Sequence, residues 1–155
     1  MNAKWTLQNH RDHAWEYFKV HAQQRMSLFN FFVVFSSLAT TCMVGTFREK
    51  TESHVVGIGL GLLLMSISII FWKLDKRVRF LVKHAENALK WIESKYDLEE
   101  CHDIPHVVRL FTDEEVLTTD EQPLTYAKCF GWTFLVFALV GLVGVILSVI
   151  CLGNP

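Results

Sequence analysis

The sequence predicts an all-α membrane protein with three transmembrane helices, two of them extended into a cytoplasmic helical body. Three observations carry this. Three long apolar blocks hold no charged residue, two of them adjoin stretches free of helix breakers, and the basic residues beside them are unevenly distributed. Of the 155 residues, 51% are hydrophobic, and mean hydropathy is +0.25. The blocks are residues 27–47, 55–72 and 129–152, uncharged over 21, 18 and 24 positions. A hydrocarbon core of about 30 Å takes roughly 20 helical residues, so each block is close to spanning length.

Residues 1–26 form a cytoplasmic amphipathic helix in this reading. Residues 5–28 contain neither Gly nor Pro, and Trp15, Phe18, Ala22 and Phe29 follow the three/four spacing of one helical face. His13, Tyr17, His21 and Arg25 recur every four residues on a neighbouring stripe. With nothing to break it, the helix continues into the first span at 27–47. That span is not a cleaved leader, because it follows a helix-forming segment and no small-x-small site closes it. Residues 48–54 are a short external loop leading into the second span, 55–72.

The region 73–128 is cytoplasmic and helical. From Lys73 to Asp97 there is again no Gly or Pro, and Leu74, Val78, Leu81, Val82, Ala85, Leu89, Ile92 and Tyr96 make one apolar face. A helix from Val55 to Asp97 would be about 65 Å long. Its apolar face needs a partner, either the N-terminal helix or a second subunit. Residues 98–123 are irregular, with Pro105 as an interruption. Thr112 and Glu115 have capping-box spacing. Thr119 and Gln122, with Pro123 just inside, start the last long helix, whose span is 129–152.

Orientation follows from the basic residues beside the spans. Lys4, Arg11, Lys19 and Arg25 precede the first span. Lys73, Lys76, Arg77, Arg79 and Lys83 follow the second, and no charge follows the third. The N-terminus is therefore expected inside a bacterial inner membrane and the C-terminus outside, with Trp72, Trp132 and Tyr126 at the cytoplasmic interface. The net charge of −1 carries no nucleic-acid signature. The basic stretch 73–95 reads as a solvated face against anionic headgroups. Cys42, Cys101, Cys129 and Cys151 are scattered and do not form a disulfide framework.

Glycine placement bears on assembly. Gly57 and Gly61 share a face of the second span, and Gly141 and Gly144 lie mid-span in the third. Small residues let helices approach closely in lipid, within one chain or between copies. In the first span Asn30, Ser36, Ser37, Thr40 and Thr41 are the substantial polar positions. Ser36, Thr40 and Thr41 read as close to one face, suited to interhelical hydrogen bonds or a weakly polar pore lining. No Asp, Glu, Lys or Arg lies within a span, which argues against a coupled transporter.

Enzymatic signals are sparse. Arg79 and His84 (RFLVKH) fit Arg-x(4–6)-His, the signature of HEPN ribonucleases, in which the histidine transfers protons and the arginine offsets phosphate charge. With six arginines and seven histidines, about one such pair arises by chance, and His84 also reads as a half-buried helix residue. Cys101, His102 and His106 lack the second ligand pair a zinc site needs. His10, His13 and His21 read as surface or interfacial residues. No Walker loop, G-x-S-x-G or HExxH motif is present. No cofactor or metal is expected, and nucleic acid is not an expected partner.

Residues 13–41 (HAWEYFKVHAQQRMSLFNFFVVFSSLATT) join an aromatic-rich helix, through His21, Gln24 and Arg25, to Phe-Asn-Phe-Phe. This segment resembles small bacterial inner-membrane proteins of the RipA-like kind. More broadly it looks like SLATT-type effectors and the membrane accessory proteins of RNA-targeting CRISPR systems. The resemblance implies a homo-oligomer, octameric in its nearest members, with a cytoplasmic helical body and a role in phage defence by membrane perturbation. It also implies a degenerate HEPN-like pair, which would fall on Arg79 and His84. Three spans exceed the one or two of several such proteins. The expected partners are the lipid bilayer, further copies of the chain and a cytoplasmic defence protein. The expected activity is a non-enzymatic pore or membrane-disrupting effector. The alternatives are a membrane-tethered ribonuclease and a scaffold acting through residues 73–123.

Overall fold

The computed structural model describes residues 6–47, 53–96, 111 and 126–153, and among them every ordered element is helical. Helix α1 runs Leu7–Thr46, α2 Ser53–Tyr96 and α3 Tyr126–Gly153. Thr6 caps α1, its Oγ1 accepting the Asn9 N–H at 3.3 Å, which satisfies one of the free first-turn amides. As expected, one unbroken helix of 40 residues joins the N-terminal segment to the first apolar block. Helix α2, at 44 residues, is about 66 Å long. The capping signals at Thr112, Thr119 and Pro123, and the Cys101/His102/His106 group, lie outside the described residues.

All three helices are long and apolar enough to cross a membrane, yet only 22%, 22% and 17% of their most apolar windows are buried. Large side chains such as Phe31, Leu38, Val56, Leu139 and Ile150 stand outward. In water that surface would far exceed what a monomer tolerates. In hydrocarbon it costs nothing, so the helices are membrane spans.

The chain divides into two compact units, residues 26–76 with 126–155 and residues 1–25 with 77–125. In the first of these, the membrane unit, buried positions recur at alternating intervals of four and three: Phe32, Ser36, Ala39, Met43 and Thr46 on α1; Gly57, Gly61, Leu64 and Ser68 on α2. On α3 they are Phe130, Phe134, Gly141, Gly144 and Ser148, with half-buried Phe137 completing the series. A 3.5-residue period keeps one seam facing the neighbouring helices, as in a left-handed bundle. Phe32, Phe130 and Phe134 form its aromatic core, with the Phe29 and Phe130 rings stacked at 3.9 Å and Phe32 edge-on to Phe134 at 4.6 Å.

In the second unit the α2 series continues through Val78, Ala85, Leu89 and Ile92, all buried. The apolar face expected there is therefore present, although Leu74 is exposed and Asp75 takes a buried place instead. Phe111 packs edge-on to Trp15 and Phe18 of α1, and its amide donates to Glu93 Oε1 of α2 at 3.4 Å.

Candidate functional site

The glycines singled out from the sequence lie along the helix seam of the membrane unit. A Cβ built on Gly61 would stand 2.6 Å from Val145 Cγ2 and 2.7 Å from the Gly141 carbonyl oxygen. One on Gly141 would be 2.8 Å from the Gly61 carbonyl oxygen, so α2 and α3 touch backbone to backbone here. Gly57 admits Thr46 Oγ1 and Ser148 Oγ at 2.7 and 2.6 Å from its missing Cβ, and Gly144 admits the Met43 sulfur. All four glycines serve contacts within one chain.

The polar residues of α1 divide between two sides of the helix. Ser36 is fully buried, and neither its hydroxyl nor that of Ser148 has a hydrogen-bond partner among the described residues. Thr40 is half-buried and donates to the Ser36 carbonyl at 2.7 Å. Thr41 is exposed and donates to the Ser37 carbonyl at 2.9 Å. The expectation that Ser36, Thr40 and Thr41 share a face thus holds only for the first two. Five residues at 100° each set Ser36 and Thr41 about 140° apart.

A different set shares the outward face. Ser27, Asn30, Ser37, Thr41 and Gly45 are all exposed, and their spacing confines them to an arc of about 80°, directly opposite the buried Phe32, Ser36, Ala39 and Met43. Asn30, a polar position of the first span in the sequence, is exposed on the side away from the buried Ser36. Separating the residues by 3.5-residue register would have found the stripe. In the middle of α3, by contrast, the exposed positions are Leu135, Val136, Leu139, Leu142, Val143 and Ile146, all apolar.

Arg79 and His84 are likewise five positions apart on α2, about 140° around the axis. Arg79 is half-buried, while His84 is exposed beside the parallel ring of Phe80, with centroids 6.5 Å apart. Phe80 and Trp91 are strongly exposed on the His84 side of α2, an aromatic stripe at positions 80, 84 and 91. Among the described residues no three His, Cys, Asp or Glu side chains gather as a metal site.

No family model and no solved structure matches the chain. Its sequence is similar to CD-NTase-associated protein 19 of Escherichia coli, 32% identical over 139 residues that cover 89% of this chain and 87% of that protein. That relationship, rather than the RipA-like or SLATT-type one suggested by residues 13–41, is the one the comparison supports.

Proposed function

The chain belongs to the family of CD-NTase-associated protein 19, and from that premise we propose that it is the membrane effector of an antiphage system that includes a CD-NTase. In this reading several copies assemble in the inner membrane and open a pore, with the N-terminus and the second unit in the cytoplasm. The observation that carries the proposal is the polar stripe Ser27, Asn30, Ser37, Thr41 and Gly45 on the outward side of α1. Thr41 returns its hydroxyl hydrogen to the Ser37 carbonyl, but the Asn30 amide of a lone copy would face acyl chains, which cannot hydrogen-bond it. In a ring of copies the same face lines a weakly polar channel, with no charged residue needed.

The outward aromatic stripe Phe80–Trp91 on the second unit supports assembly independently, since exposed rings on a cytoplasmic surface suit a contact between copies. The activating signal would come from the nucleotidyltransferase partner that the relative's name implies.

The test is membrane potential in cells expressing the chain with its activating partner, read with a potential-sensitive dye. The wild-type chain is expected to depolarise the membrane. Replacing Ser37→Leu and Thr41→Leu together should reduce the effect about tenfold without lowering the amount of folded protein, since both residues face away from the seam. Depolarisation equal to wild type in that variant would refute the pore lining. A detergent-solubilised mass equal to one chain would refute the pore altogether.

A further inference from the structure

Between α2 and α3 the membrane unit has a groove of about 450 Å³, lined by Ile69, Trp72, Lys128, Gly131, Trp132 and Leu135 and reaching as far as Ala138. Its volume is that of a small-molecule site. From Lys128 to Ala138 is ten helical residues, about 15 Å, which is half of a 30 Å hydrocarbon core and so the depth of one leaflet. Gly131 leaves the α3 wall open. A Cβ there meets no atom within 4 Å.

The walls are almost wholly apolar except at one end. There Lys128 enters the lining, and Lys76 Nζ sits 3.6 Å from the centre of the Trp72 ring, itself part of the wall. Two tryptophans and two ammonium groups at the same end of an apolar slot have the pattern of a headgroup level, where indoles settle and lysines extend toward phosphate. Water would find too few polar partners along the slot, and an empty slot would forfeit dispersion contacts on both walls.

We propose that this groove binds one anionic phospholipid, an acyl chain lying between α2 and α3 and the phosphate held by Lys128 with Lys76. The site is independent of the α1 stripe and rests on the reading that the three helices span a bilayer. It would tie the splay of α2 from α3 to the lipid composition of the leaflet.

The experiment is native mass spectrometry of the full-length chain extracted from membranes, with phosphatidylglycerol or phosphatidylcholine added at equal concentration. Recovery of the wild-type chain from the soluble fraction would refute the spanning reading itself, before any lipid is counted. Wild type is expected to retain phosphatidylglycerol over phosphatidylcholine by about thirtyfold, the effect of two lysines at an anionic surface. Gly131→Leu, whose Cβ meets no atom within 4 Å and whose isobutyl group would occupy the groove, should lose retention of both lipids. Lys128→Glu should keep the acyl chain but lose the preference for phosphatidylglycerol, and inorganic phosphate alone should displace neither lipid. Lipid retention unchanged in Gly131→Leu would overturn the site, as would equal retention of the two lipids by wild type. A change of oligomer mass in Gly131→Leu with lipid retention unchanged would assign the groove to a second copy and overturn it likewise.

Discussion

Within their apolar blocks, 27–47 and 129–152, the outward sides of α1 and α3 are equally free of charge, yet they differ in kind. On α3 the outward positions Leu135, Val136, Leu139, Val143 and Ile146 are branched aliphatics, suited to acyl chains and to nothing more specific. On α1 the outward arc carries two serines, an asparagine, a threonine and a glycine among its apolar neighbours. The inward sides differ much less, since both place small or aromatic residues at a 3.5-residue period. What separates the two helices is therefore not how they pack in the unit but what they present beyond it. Helix α3 presents aliphatic side chains there, while α1 presents the Asn30 amide and three hydroxyls, of which that of Thr41 bonds the Ser37 carbonyl.

The largest effect expected from any single change lies on the inward side, where the contrast with outward positions is greatest. Gly61→Leu forces atoms against the Gly141 backbone, which cannot turn aside as a side chain can. Overpacking of this kind costs about 3 kcal/mol or more. Thermal unfolding in detergent should show the loss directly, and an unchanged midpoint would mean that α2 and α3 do not touch there.

An intermediate effect tests the two outward faces against each other. Moving polarity onto α3, with Leu139→Ser and Val143→Thr, should leave both the oligomer mass and the depolarisation of wild type within about twofold, because these positions are assigned to lipid and Ser and Thr can bond their own helix carbonyls. A collapse of either readout would place α3, not α1, at the functional face. The smallest effect is that of Gly59→Ala. A Cβ at Gly59 meets nothing within 4 Å, unlike one at Gly57 two residues before it. The helix should gain about 0.5–1 kcal/mol from the better helix former. Unfolding of this variant beside Gly57→Ala would separate the backbone cost of glycine from its role in close approach.

Much of the architecture was legible in residue order. Trp15, Phe18, Ala22 and Phe29 were placed on one face by spacing alone, and Phe18, Ala22 and Phe29 are at least half-buried. Val78, Ala85, Leu89 and Ile92 were read as a core face of α2 and are buried. These lie where apolar and charged residues alternate around the helix, so polarity marks the inner side. Asp75 escaped notice because it adjoins a run of lysines and arginines, although it falls seven residues from Ser68 and fourteen from Leu89 in the buried series. The polar stripe is hidden in residue order because Ser36, Thr40 and Thr41 read as one face although a helix turns about 140° from Ser36 to Thr41.

Residue order by itself determined the helical class, the number of spans and the continuity of α1 and α2 beyond their apolar blocks. Uncharged length measured against bilayer thickness, together with the absence of Gly and Pro from the flanks, suffices for that. Only the tertiary structure decided which side of each span faces inward, that Gly61 meets Gly141, that Ser36 and Thr41 part company, and that Trp72 and Trp132 frame one groove. The physical reason lies in the solvent. Hydrocarbon gives no reward for burying an apolar side chain, so hydropathy cannot distinguish inside from outside in α3, and shape complementarity between helices decides instead.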